Sequence, residues 1–96
     1  NIYKKEWFIN RSLNTDFVDA YYNRGIAYAR LGQFQQAIKN FNKTIKLNPN
    51  YISAYSSRGF AYLLQNNKNV CFDAKKVCEQ GDCKLLNFAK TKGLCN

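Results

Sequence analysis

Ala20-Tyr21-Tyr22-Asn23-Arg24-Gly25-Ile26-Ala27-Tyr28 and Ala54-Tyr55-Ser56-Ser57-Arg58-Gly59-Phe60-Ala61-Tyr62 carry the same residue at six of nine positions, one 34-residue step apart. A period of that length marks a supersecondary unit that cannot bury its apolar face alone and stacks on a copy of itself. Tyr21, Gly25, Tyr28 and Leu31 recur at helical spacing, which predicts a first helix with these residues on one face. Gly25 on that face lets a second helix approach closely, at a helix cost of about 1 kcal/mol.

Leu31-Gly32 is a turn signal, and Phe34, Ala37, Ile38, Phe41 and Ile45 then trace one face of a second helix. Leu47-Asn48-Pro49 stops it, because proline disfavours helix at the residue before it and cannot donate a backbone hydrogen bond. The unit is helix, short turn, helix, stop.

On Tyr21, Gly25, Tyr28, Ala37, Phe41 and Pro49, and on Tyr55, Gly59 and Tyr62 one period later, the chain resembles the tetratricopeptide repeat family. The resemblance covers residues 17–80 well and the flanks in part. It implies an all-α solenoid of helix-turn-helix repeats, with small residues where paired helices cross. The second unit departs from the pattern: Phe41 maps to Lys75, Thr44 to Cys78 and Pro49 to Cys83. The helix over 69–80 instead shows Val70, Cys71, Ala74, Val77 and Cys78 as its apolar face, which reads as a rebuilt terminal cap.

The period extends to both ends. Trp7 stands one step before Phe41, Leu13 before Leu47 and Asn14 before Asn48; Gly93 stands one step after Gly59. Residues 3–13 therefore read as a second helix lacking its first, and 83–92 as a capping first helix lacking its second. The expectation is a single domain over 1–96: about six helices in the order B-A-B-A-B-A, with repeats at 17–47 and 51–80. Cut in mid-repeat, such a chain would stack head to tail into an extended solenoid or filament, with Trp7, Phe8, Ile9 and Phe88 as the assembly residues.

All four cysteines, Cys71, Cys78, Cys83 and Cys95, lie in the last quarter of the chain. A zinc site wants close pairs such as Cys-x-x-Cys, often with histidine, and neither occurs. Buried free thiols and two disulfides both fit, and four cysteines allow three pairings. Gln80-Gly81-Asp82 reads as a helix stop followed by an N-cap, making 69–80 and 83–92 an antiparallel hairpin. The nested pairing Cys71–Cys95 and Cys78–Cys83 suits that hairpin. Such bonds imply an oxidising, extracytoplasmic compartment, reached after loss of a targeting segment.

With no histidine and six scattered acids, no serine–histidine or cysteine–histidine pair can form, and there is no glycine-rich phosphate loop. The reading is non-catalytic, with no cofactor or metal. Asp16 and Asp82 read as helix N-caps. The 15 Lys and Arg are dispersed, which argues for a solvated basic surface with acidic or glycan partners in reserve and against a DNA-binding arm. No apolar run reaches the roughly 18 residues of a membrane span. Sequons at Asn10 and Asn42 are candidate glycosylation sites.

The family resemblance further implies a concave groove lined by the first helices. Its residues would be Asp19, Tyr22, Asn23, Ile26 and Arg30 from one unit. The next unit would supply Ser53, Ser56, Ser57, Phe60 and Leu64. Asn23 matches a family position that holds a peptide backbone or carboxylate, but Ser53 and Ser57 stand where the accompanying cations would be. Three functions follow as expectations: a self-assembling scaffold, an adaptor that binds a peptide in the groove, and a single-stranded RNA-binding helical repeat.

Overall fold

The structure, a computed structural model, describes the backbone from Ile9 to Asn96 and the side chains from Phe17 onward. Among the described residues there are five α-helices: α1 (Ile9–Arg30), α2 (Phe34–Leu47), α3 (Ile52–Leu64), α4 (Val70–Cys78) and α5 (Lys84–Thr91). Each helix packs on the next, and α1 meets α3 as α3 meets α5. The result is a two-layer solenoid, with α1, α3 and α5 in one layer and α2 and α4 in the other. Its radius of gyration of 15.4 Å exceeds the roughly 12–13 Å of a compact domain of this length.

The turns repeat with the helices. Gly32 takes φ +77° after α1, and the Gln33 N–H bonds back to the Tyr28 carbonyl at 2.9 Å. One period on, Asn66 takes φ +54° after α3, and the Asn67 N–H bonds to the Tyr62 carbonyl at 2.9 Å. Asparagine is the residue after glycine that best tolerates this left-handed helix stop. Leu31 departs from expectation: α1 ends at Arg30, so Leu31 leaves the buried face and is 70% exposed. Before Pro49, Asn48 is extended and α2 stops at Leu47.

Gly25 works as its position suggests. A Cβ there would stand 2.5 Å from the Phe41 ring, so the glycine is what lets α2 lie against α1. Ala37, Phe41 and Thr44 are fully buried at this crossing, and the Thr44 hydroxyl donates to the Asn40 carbonyl at 2.9 Å. A Cβ on Gly59 would meet Leu85 at 2.8 Å and Asp73 Cβ at 3.0 Å. Leu63, Val70, Ala74, Leu86, Ala89 and Cys95 form the C-terminal core. Disulfides join Cys71 to Cys95 and Cys78 to Cys83, with Cα atoms 5.6 and 4.1 Å apart.

Two expectations change at the ends. No separate helix ends at 13, because residues 9–16 are the N-terminal part of α1. The position that Pro49 holds in the full unit is Thr15 here, so nothing breaks the helix, and Asp16 lies inside it rather than at an N-cap. Residues 1–8 of the expected 3–13 helix lie outside the described residues. At the other end, Gly93 does not act like Gly59. It takes φ +78° beyond the end of α5, as a stop rather than a helix crossing. Asp82 sits one residue before the α5 N-cap, and its Oδ1 accepts the Lys84 N–H at 3.1 Å.

Candidate functional site

The α1–α3–α5 layer is concave and holds a groove of about 520 Å³. Ile26 and Ala29 come from α1, Ser56, Ser57 and Phe60 from α3, and Lys84, Leu85 and Phe88 from α5, with Asp82 just ahead of it. Gly25 faces Phe41 of α2 and Ala89 of α5 is buried in the core, while Ile26, Phe60 and Phe88 line this side. Phe60 and Phe88 are 52% and 53% exposed, so the groove carries two large apolar groups that water wets in the free protein. The Lys92 ammonium stands 5.9 Å from the Phe88 ring centroid and makes one rim basic.

Of the ten groove residues expected from the family resemblance, the structure gathers Ile26, Ser56, Ser57 and Phe60 into this one cavity. Asn23, Arg30, Ser53 and Leu64 are exposed but do not line it. Asp19 and Tyr22 belong to the joint between α1 and α3. The Tyr51 hydroxyl donates to Asp19 Oδ1 at 2.7 Å, the Tyr22 and Tyr51 rings lie 5.1 Å apart, and the Tyr22 hydroxyl meets Ser57 Oγ at 3.2 Å. Burial, and then the bond to Asp19, pushes the Tyr51 phenol up to about 12.

Sequence reasoning missed Asp82, Lys84 and Leu85 because the phase of 34 does not carry through to α5, and it also missed Ala29 of α1. It placed Phe88 among the stacking residues, whereas the structure sets Phe88 opposite α1 in the groove. Trp7 and Phe8 lie outside the described residues, and Ile9 is described only as the first residue of α1. Asn10 falls within α1, and its side chain is outside the described set. Asn42 is on α2, where its side-chain oxygen accepts a 2.8 Å hydrogen bond from Arg58. The Thr44 of that sequon is buried, so the folded chain does not present it.

Among the described residues, no cluster of side chains is arranged to hold a metal ion, and no helix is long and apolar enough to cross a membrane. The architecture defines a class: a scaffold of stacked helical hairpins with a concave face. Residues 18–51, one full period, match the family model of the tetratricopeptide repeat. That segment is similar to the tetratricopeptide repeat, a likeness that suggests a protein–protein interaction scaffold, and the second hairpin continues its geometry beyond the matched segment. No curated protein and no solved structure matches the chain.

Proposed function

We propose that this chain is a non-catalytic interaction module that holds a segment of a partner protein in the groove between α1, α3 and α5. The observation that carries this reading is the pairing of Phe60 and Phe88. They stand on different helices, each half-exposed, and face the same 520 Å³ cavity. Binding sites are concave and mainly apolar, with a few polar groups that set orientation, and Ser56, Ser57, Asp82 and Lys84 supply the latter. An apolar side chain entering between the two rings would release their bound water, while the two serines satisfy the partner's backbone.

The test is to select peptides from a random displayed library against the folded chain, then to titrate a selected peptide calorimetrically. Phe60→Asp and Phe88→Asp should each weaken binding by about 2 kcal/mol or more, the scale of an interface anchor. Unchanged affinity in both variants, with unchanged circular dichroism, would overturn the groove as the binding site. The two disulfides support an extracytoplasmic setting for this activity, since such bonds persist where thiols are kept oxidised.

A further inference from the structure

We propose that the Cys78–Cys83 disulfide is a redox latch on the groove: a dithiol opens it while Cys71–Cys95 stays closed, and the leading end of α5 then loosens its hold on a bound segment. The consequence for binding rests on the groove reading above, and the latch rests on where the two disulfides lie. Cys78 is the last residue of α4, and Cys83 is the N-cap of α5. Cys83 stands between Asp82 and Lys84, which both line the groove, and Leu85 and Phe88 of the same lining follow on α5.

The hydrogen bonds of this turn close one helix or the other. The N–H groups of Glu79, Gln80 and Gly81 bond back to the carbonyls of Lys75, Val77 and Cys78 at 3.0, 3.0 and 2.9 Å, at the end of α4. The Asn87 N–H bonds to the Cys83 carbonyl at 2.9 Å, and the Lys84 N–H to Asp82 Oδ1, at the start of α5. Between the two sets lies Gly81 at φ +110°, with nothing within 4 Å of where a Cβ would stand, so the backbone is free to pivot there. The bond from Cys78 to Cys83 spans that pivot. The far end of α5 is held separately. Leu86 and Ala89 are buried with Leu63, Val70 and Ala74, and Cys95 is tied to Cys71 near the head of α4. Opening the latch therefore loosens Asp82, Lys84 and Leu85 without releasing the helix.

The sulfurs differ in reach. Cys95 is 8% exposed within the C-terminal core and Cys71 packs against it, whereas Cys83 is half-buried and lies outside that cluster. A thiolate of the dithiol attacks Cys83 Sγ, and Cys78 leaves as a thiolate and takes up a proton. The other thiol of the reductant then displaces Cys83 from the mixed disulfide. The reductant ends as a disulfide, two electrons have passed to the protein, and the two thiol protons end on Cys78 and Cys83. The freed thiols stay five residues apart on one chain, so an oxidant closes a short loop to restore the latch. In an oxidising setting the latch rests closed.

Titration of the full chain with dithiothreitol, with free thiols trapped by iodoacetamide and mapped by mass spectrometry, tests the latch. Cys78 and Cys83 should be alkylated at reductant concentrations that leave Cys71–Cys95 joined. Opening of Cys71–Cys95 first, or of both bonds together, overturns the proposal. In the half-reduced chain, amide hydrogen exchange should rise over residues 82–88 and hold steady in α1 and α2; unchanged exchange over 82–88 overturns it. A peptide selected on the oxidised chain should bind the half-reduced chain about tenfold more weakly, within the usual range of coupling between sites. Its affinity should return on reoxidation with oxidised glutathione. A Cys78→Ser, Cys83→Ser pair should bind as the half-reduced chain does, with or without dithiothreitol. Equal affinity for the oxidised and half-reduced chains overturns the latch and leaves the groove reading standing. A chain that binds no peptide in either state, yet opens selectively and exchanges faster over 82–88, refutes the groove reading and keeps the latch.

Discussion

Arg58 holds Asp73 in a forked ion pair, with Nη2 to Oδ1 at 2.6 Å and Nε to Oδ2 at 2.9 Å, and the Asp73 side chain is 1% exposed. The same guanidinium donates to Asn42 on α2, so one side chain on α3 ties together the helices on either side of it. Arg24, one period earlier, reaches Asn40 instead, a neutral partner. Burial pushes the Asp73 carboxyl above its usual range, and the Arg58 fork pulls it part of the way back. Hydrogen bonding to Asp73 in turn holds the Arg58 proton more tightly than usual.

Breaking this pair from one side leaves a buried, uncompensated charge. Asp73→Ala should cost about 3–5 kcal/mol in urea unfolding, whereas replacing both partners with apolar residues of similar volume should cost far less. A small loss in the single variant would mean that Arg58 swings out to solvent and the pair adds little to the α3–α4 joint.

Gly25→Ala should destabilise the chain although alanine is the better helix former. The gain of about 1 kcal/mol in propensity is outweighed by forcing Phe41 from its place, about 1–3 kcal/mol for overpacking with a further loss if the helices part. Thermal melts of Gly25→Ala beside Gly32→Ala separate the causes. The second variant meets no neighbour within 4 Å and suffers only from the positive φ.

The Tyr51 joint predicts a pH dependence. Burial and the Asp19 bond raise this phenol from 10.0 to about 12 in the folded chain, so folding holds a proton that the unfolded chain releases earlier. The stability due to the joint is complete below the unfolded value and is lost as pH rises through the folded one. Urea midpoints should fall over that alkaline window, and Tyr51→Phe should flatten the fall. No free cysteine is present among the described residues to reshuffle the disulfides under these conditions.

The disulfides should control the groove. Cys71–Cys95 spans 24 residues, and its removal as a Cys71→Ser, Cys95→Ser pair should cost about 3–4 kcal/mol on the chain-entropy account. Cys78–Cys83 spans five residues, for which the same account gives about 2 kcal/mol. In the first variant, hydrogen exchange should rise in α5 before α1 or α2, because among the described helices α5 rests on α3 and α4. Uniform exchange across all five helices would show that the hairpin unfolds with the whole.

The sequence by itself determined the helical-hairpin repeat. Tyr21, Gly25, Phe41 and Pro49 act through rules of helix spacing, crossing and stopping within one hairpin, and the recurrence of Arg24 at Arg58 goes with the scaffold. The turn at Asn66, a left-handed stop in phase with Gly32 but written in a different residue, emerged only in the structure. What only the tertiary structure decided was where the period stops being obeyed. α5 slides out of phase because its position is set by disulfides and by Leu85 packing against Gly59, and that slide carries Phe88 across to face Phe60. α1 runs on through residue 13 because Thr15 stands where proline would have stopped it. Periodicity encodes which faces are apolar, but which of those faces ends up covered depends on what packs beside them, and that is settled between helices and not within one.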